Sequence, residues 1–159
     1  MRVSASEFDA NYGMLSLHGL RKPAWQAHVQ LQQLASGRVA VTGGDPLTGA
    51  IATVGDARAA TLVYAYPAAV DSQPETAECE LLLPAGHREV TLYRIGAQEN
   101  NGVADWRALG APASPTRSEL DALRDRNTLR PAPADACEVR DGRARFRIER
   151  PGTALLVSR

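Results

Sequence analysis

The residues best suited to bind a ligand lie in the polar segment 96–115. Asn100, Asn101 and Asp105 stand close in sequence to Trp106. An indole ring offers a flat apolar face to a sugar ring, and amide or carboxylate side chains bind hydroxyl groups. The segment therefore predicts a contact site for a hydroxyl-rich ligand. The alternative is that Trp106 anchors this long segment against a neighbouring core.

Other kinds of site lack the required residue patterns. His18, His28 and His87 are dispersed and have no cysteine or acidic cluster at metal-ligand spacing, so we expect no metal. No serine stands in a Gly-x-Ser-x-Gly turn and no glycine-rich phosphate loop occurs, so we expect no cofactor. Cys79 and Cys137 are isolated, and the sequence leaves open whether they pair in a disulfide.

The balance of charged residues limits the kinds of partner that are expected for this chain. The 159 residues carry 18 basic and 18 acidic side chains, a formal net charge of zero. Nothing in this balance favours nucleic acid or an anionic membrane. No apolar run approaches the roughly 20 residues of a membrane-spanning helix, and residues 1–7 lack the apolar core of a signal peptide. We therefore expect a cytoplasmic location.

The elements that must position these residues are mostly short strands. One helix is predicted over 24–35, where Ala24, Ala27, His28, Leu31 and Leu34 form an apolar stripe that needs a large surface to lie on. A second, capped by Thr116 or Ser118, is predicted over 116–129. About eight β-rich runs separated by turn residues indicate a mainly β, two-sheet antiparallel sandwich. The runs are 38–42, 50–54, 60–66, 77–83, 88–95, 137–140, 143–148 and 153–158.

Two stretches in register resemble the C-terminal part of glycoside hydrolase family 39, the β-xylosidases and α-L-iduronidases. FDANYGML (8–15) and GLRKPAWQA (19–27) are similar to the family's passage from the eighth barrel strand through G-I-x-K-P-A-Y-x-A-F into the last barrel helix. Trp25 stands at the aromatic position, whereas His28 departs from the usual apolar residue. The second stretch runs from Tyr93 through Trp106 to Leu129 and is similar to the family's trailing sandwich.

The resemblance implies a division of the chain and a function. Residues 1–36 would be the remnant of the last barrel unit, and 37–159 an accessory β-sandwich. Family members cleave glycosides in carbohydrate metabolism with two carboxylates on loops of a (β/α)8 barrel, spaced roughly 5–5.5 Å apart. That barrel would lie upstream of Met1. The expected function is therefore a non-catalytic accessory domain that supports the barrel.

The resemblance also suggests ligand contacts. Tyr12 would join Trp106, Asn100 and Asn101 as a candidate for binding a xylo-oligosaccharide, and Glu7 and Asp9 would lie near the sugar-binding mouth or in a solvated loop. Two alternatives stay open. The chain is a stand-alone carbohydrate-binding sandwich, or it self-associates with another copy through Trp25, Leu31 and Leu34.

Overall fold

A computed structural model describes residues 7–8, 13–69 and 72–159. Over these residues the chain folds into two antiparallel sheets and three α-helices, which confirms the mainly β sandwich. The elements in chain order are α1 (Pro23–Leu31), β1 (Gly37–Val39), β2 (Thr48–Val54), β3 (Ala59–Ala65), β4 (Glu75–Leu82), β5 (Val90–Ile95), α2 (Gly102–Ala108), α3 (Arg117–Arg126), a 3-10 turn (Ala134–Ala136), β6 (Cys137–Arg140), β7 (Arg143–Arg150) and β8 (Gly152–Ser158).

The sheets contain five and three strands. The larger runs β1-β2-β3-β8-β5 and the smaller runs β4-β7-β6. The final strand, β8, lies between β3 and β5, so that Leu155 stands opposite Leu62 and Tyr93 on either side. The two-residue turn between the predicted runs 137–140 and 143–148 closes the β6–β7 hairpin, with positive φ at Asp141 (52°) and Gly142 (70°).

The main core fills the space between the sheets. Strand β7 alternates strictly, with Ala144, Phe146 and Ile148 buried and arginines between them facing solvent. The inward side chains meet Val63 and Leu156 of the larger sheet. On the outer face, Arg145 and Arg147 pair with Glu80 (2.6 Å) and Glu78 (3.0 Å) of β4. These exposed ion pairs keep the outer face of the smaller sheet polar and contribute little to the free energy of unfolding.

The two cysteines do not form a disulfide. Cys79 and Cys137 stand opposite Phe146 from the two neighbouring strands, so two strand spacings of about 4.8 Å separate them. A disulfide needs Cα atoms within about 7 Å. Burial raises the pKa of both thiols, which makes them poor nucleophiles.

The larger sheet is covered on its second face as well. Ala60, Leu62 and Leu155 form a separate cluster there, on which Leu34 and Tyr93 pack. Because both faces of the sheet are covered, the sequences of β3 and β8 are nearly continuous apolar runs. No helix among the described residues is long and apolar enough to cross a membrane.

Helix α1 is shorter than the predicted 24–35. It ends at Leu31, because the chain then turns onto the sheet: Leu34 packs there and the Ala35 N–H donates to Thr53 Oγ1 (2.9 Å). Its buried residues are Gln26 and Gln30, whereas Ala24, His28 and Leu31 are exposed. The exposed part of the stripe, at Ala24, His28 and Leu31, therefore faces away from the sandwich, whereas Ala27 is half-buried and Leu34 is packed on the sheet.

Glutamine amides hold this orientation. Gln30 Nε2 donates to the Tyr93 carbonyl (3.1 Å), and Thr153 Oγ1 donates to Gln30 Oε1 (2.7 Å). Gln26 Nε2 donates to the Asn127 carbonyl (3.2 Å). Buried amides are costly unless bonded. Gln30 uses both its nitrogen and its oxygen, whereas the buried Gln26 Oε1 has no partner, so the Gln30 contacts contribute most to deciding which face of the helix meets the sheet.

The helical insert consists of two helices. Helix α3 starts with the predicted cap, because Thr116 and Glu119 form a reciprocal capping box, and ends at Arg126, short of residue 129. Segment 96–115, for which the sequence predicts a loop, contains the seven-residue α2. Asn101 caps α2, and Gly102 is its first residue. A Cβ at residue 102 would lie 2.6 Å from Asn127 Nδ2, so packing requires a glycine at this position.

Candidate functional site

Trp106 points into the protein. Its ring lies 5.7 Å from that of Phe8 and packs on a small core of Leu20, Leu120 and Leu123. The indole N–H donates to the Pro112 carbonyl at 3.2 Å. This placement agrees with the anchoring alternative, in which the ring fastens α2 to α3 and to the segment before α1.

Asn101 is occupied with the local backbone. Its Oδ1 accepts from the Val103 N–H (3.1 Å) and caps α2, while Nδ2 donates to the carbonyls of Gly96 (2.9 Å) and Ala97 (3.1 Å). The side chain therefore closes the turn that follows β5.

Asn100 joins two distant parts of the chain. It adopts a left-handed conformation (φ 49°), which asparagine tolerates better than most residues. Its Nδ2 donates to the carbonyls of Arg94 (2.7 Å) and Arg130 (3.0 Å), and Oδ1 accepts from the Arg130 N–H (2.8 Å). The residue fixes the chain after α3 against the end of β5.

The three predicted contact residues thus form no common binding surface. Trp106 faces the core, and both asparagine amides are engaged within the chain. Tyr12 and Asp9 lie outside the described residues, and sugar contact by these side chains stays a prediction. The structural roles of these residues could not be predicted from the sequence, because they depend on hydrogen bonds to carbonyl groups far along the chain, such as that of Arg130.

Glu7 forms a buried cluster with Ser16 and His18. Its side chain is 1% exposed and accepts from Ser16 Oγ (2.5 Å), from the His18 backbone N–H (3.2 Å) and from the His18 ring. Burial alone would raise the pKa of Glu7, but the hydrogen bonds from Ser16 and His18 together outweigh it and the pKa is lowered. Because Ser16 donates to the carboxylate and not to the imidazole, this is no nucleophilic triad.

A broad depression of about 780 Å³ lies beside β4, β7 and the 3-10 turn. It contains four acids, but Glu80 is held by Arg145 and Arg143, whose hydrogen bonds lower its pKa, and Glu78 is held by Arg147. Every shifted carboxyl pKa in the described part of the chain is shifted down, whereas a general acid needs a raised one. Among those same residues no three His, Cys, Asp or Glu side chains are grouped to hold a metal ion.

An apolar groove of about 590 Å³ runs between α1 and the larger sheet. On the helix side it is lined by Pro23, Ala24 and Ala27, and on the sheet side by Tyr64 and Tyr66. The two tyrosine rings meet edge to face at 5.7 Å, and Tyr66 is 60% exposed. Gly49 stands opposite Tyr64, where a Cβ would meet the ring at 2.5 Å.

The groove continues the exposed stripe of α1. Leu31, one of the three residues predicted to drive self-association, is 42% exposed at the end of that stripe. The other two are engaged: Leu34 packs on the sheet, and the Arg21 guanidinium lies 5.7 Å from the Trp25 ring centre. We call the exposed Ala24 and Leu31, the half-buried Ala27 and the two tyrosines the outer apolar surface.

Solved structures with this architecture exist. The chain superposes on a GH39 β-xylosidase from Caulobacter crescentus with a TM-score of 0.73 and 19% identity, over 97% of this chain and 31% of that one. The chain has the fold of one third of a family 39 glycoside hydrolase. A GH39 enzyme from Xanthomonas axonopodis pv. citri gives a TM-score of 0.70 at 20% identity, over 97% and 33% of the two chains.

The fold extends beyond family 39. A glycoside hydrolase family 30 subfamily 8 xylanase from Clostridium acetobutylicum matches 92% of the chain and 30% of its own length, with a TM-score of 0.60 and 7% identity. No protein-family model and no curated protein matches the sequence. At these identities the likeness shows the fold, and it confirms the resemblance read from the sequence at that level.

Replacing Asn100 is expected to destabilise the join between β5 and the chain after α3. Asn100→Ala removes three hydrogen bonds and places a Cβ-bearing residue without a local partner at φ 49°, so we expect a loss of about 2–3 kcal/mol in the free energy of unfolding. Asn100→Gly loses the same bonds without the backbone strain and is expected to lose about 1 kcal/mol less. Urea denaturation measures both. If both variants are as stable as the native chain, the three Asn100 hydrogen bonds do not stabilise the fold.

The Glu7 cluster is expected to weaken in acid. A lowered folded pKa means that its contribution is complete above the unfolded value near 4.5 and is lost as pH falls through the folded value. Glu7→Gln should be less stable than the native chain by about 2 kcal/mol at pH 7, and the difference should shrink below pH 4.5. The control Glu78→Gln, at an exposed site, should change stability by less than about 0.5 kcal/mol. Denaturant midpoints from pH 7 to pH 3 measure this, and a constant difference for Glu7→Gln argues against the cluster.

Proposed function

We propose that this chain is the non-catalytic accessory domain of a family 39 glycoside hydrolase and supports a catalytic (β/α)8 barrel. The observation that carries the proposal is the orientation of α1. Its polar side chains bind the sandwich and its apolar stripe faces outward, the reverse of a helix that covers only its own domain.

The outer apolar surface suits a large partner. Burying a leucine side chain contributes about 1.5–3 kcal/mol, so leaving Leu31 and Tyr66 in water forgoes a favourable contribution. Contiguous apolar surface on a soluble domain marks an interaction site. The solved neighbours are about three times as long as this chain, which supports a further domain as the occupant.

The absence of a suitable pair of carboxyl groups supports a non-catalytic role. A retaining glycosidase needs one carboxyl with a raised pKa facing a second across the sugar, roughly 5–5.5 Å away. In the described residues two of the four acids of the broad depression, Glu78 and Glu80, are paired with arginines, and Glu7 is buried and hydrogen-bonded to Ser16 and His18. The hydrogen bonds to Glu80 and Glu7 lower the pKa of both carboxyl groups.

A second copy of the chain is the alternative occupant. The same exposed Leu31 and Tyr66 favour it, because a symmetric pair would bury both apolar surfaces. Light scattering over a concentration series separates the two, since a chain that stays monomeric at high concentration argues against self-association.

The purified chain is expected to release no nitrophenol from nitrophenyl β-D-xyloside above the rate in buffer, because no acid among the described residues has a raised pKa. The full-length Caulobacter crescentus β-xylosidase serves as the positive control. Absorbance that increases in proportion to the concentration of this chain, across separate preparations, would overturn the non-catalytic assignment.

A further inference from the structure

The smaller sheet ends at an open edge. Its outer strand β4 pairs with β7 and with no other strand that the structure describes. The Leu83 N–H donates to the Gly142 carbonyl (2.8 Å) on the β7 side, and this direction alternates along an antiparallel strand. The backbone N–H and C=O groups of Thr76, Glu78 and Glu80 therefore point away from β7. No backbone group in the described part of the chain bonds to them.

The larger sheet extends past this open edge. Ala50 of β2 packs on the main core, and because side chains alternate along a strand, Ala52 and Val54 share its face. Val39 of β1 stands opposite Ala52 and lies on the same face. Val39 and Val54 are 42% and 40% exposed. The three strands of the smaller sheet therefore leave the inner face of β1 and β2 partly uncovered.

A cavity of about 200 Å³ lies between the edge of β4 and this uncovered face. It is lined by residues 41–45, 48–50, 63 and 77–81. Its end near the start of β2 is closed by Arg150, which donates to Asp45 and to Thr48 Oγ1 (2.9 Å). We call the cavity and the open edge of β4 the edge slot. An extended segment laid in the slot would bond the open backbone groups and cover the exposed valines, as peptides do when they add to a sheet edge.

The acids of β4 decide which side chains such a segment carries. Glu78 and Glu80 are on the outer face of β4, one strand spacing of about 4.8 Å from an added strand. Their arginine partners on β7 are two spacings away, roughly 9.6 Å. Glu78 accepts from Arg147 through Oε1 alone, which leaves Oε2 open to a second cation. A basic residue opposite an acid on the next strand is favourable, and a second acid is unfavourable.

The same acids argue against a second copy of the chain as the occupant. Two copies joined through β4 would place Glu78 and Glu80 of one beside the same residues of the other, and such like charges repel. The edge therefore discriminates between strands by charge.

We propose that the edge slot binds an extended segment of a partner polypeptide in which basic residues alternate with apolar ones. The segment adds to β4 as a further strand, with its basic side chains beside Glu78 and Glu80 and its apolar side chains on Val39 and Val54. The slot and the outer apolar surface lie on opposite faces of the larger sheet, and the proposal does not rest on the accessory role.

Titration of the ¹⁵N-labelled chain with a capped peptide, followed by amide chemical shifts, tests this proposal. The peptide alternates arginine and valine over eight residues, the length of β4. Saturable shifts are expected in residues 76–82 and 39–54, with a dissociation constant of about 0.1 mM. A control peptide with glutamate in place of arginine should bind about ten-fold more weakly or less.

Variants of the slot separate its two contributions. Glu78→Arg should weaken binding of the arginine peptide about five-fold and tighten binding of the glutamate peptide. Glu78→Pro removes an N–H that points into the slot, at an edge position where proline is tolerated, and should weaken both peptides about ten-fold. Val39→Ser should weaken the arginine peptide about three-fold. The matched control Val139→Ser, on β6 at the other edge of the smaller sheet, should bind as the native chain does.

Other outcomes overturn the proposal. These are the absence of saturable shifts at about 2 mM arginine peptide, some twenty times the expected constant, or shifts centred on β6 or on α1. Equal affinity for the two peptides, or unchanged affinity in the Glu78 and Val39 variants with folded spectra, also overturns it. Shifts in residues 76–82 on dilution of the chain alone would show that a second copy occupies the edge.

Discussion

The attachment of helix α1 to the larger sheet through glutamine amides is the contact on which the account of this domain depends. Gln30 joins the Tyr93 carbonyl on β5 to the Thr153 hydroxyl on β8, and Gln26 reaches the Asn127 carbonyl at the end of α3. Hydrogen bonds are directional, so the rotation of the helix about its axis is fixed. Once it is fixed, Ala24 and Leu31 face outward.

The attachment of α1 adds a third layer to the two sheets. The three-stranded sheet packs on the inner face of the five-stranded sheet through Phe146, Ile148 and their neighbours. The outer face of the larger sheet carries Leu62 and Leu155 beneath the α1 connection. Strand β8 therefore has partners on both faces and on both edges, which places the last residues of the chain at the centre of the fold.

Local signals were enough to predict the strands. The Asp141-Gly142 turn and the cap of α3 by Thr116, one of the two predicted residues, depend on groups within four residues of each other, and both are present in the structure. The orientation of α1 could not be read in this way, because the sequence pattern counts apolar positions and the buried glutamines bind carbonyls 63 and 101 residues away. Helix α2 could not be predicted for a related reason. Its first residue is a glycine because Asn127 and the Arg21 carbonyl leave no room for a Cβ.

The candidate site was less predictable than the fold. Residue type alone suggested sugar contact for Trp106, Asn100 and Asn101, and the structure gives each an intramolecular role. Asn100 also lines a small cleft with residues from 94–105 and 126–133, which only the folded chain brings together.

The most direct test of the central claim, that this domain accompanies a catalytic barrel, is the sequence of the genomic DNA upstream of the Met1 codon. A coding region for a (β/α)8 barrel is expected there, with one carboxylate after the fourth strand and another after the seventh. Flanking DNA that encodes no such barrel would contradict it.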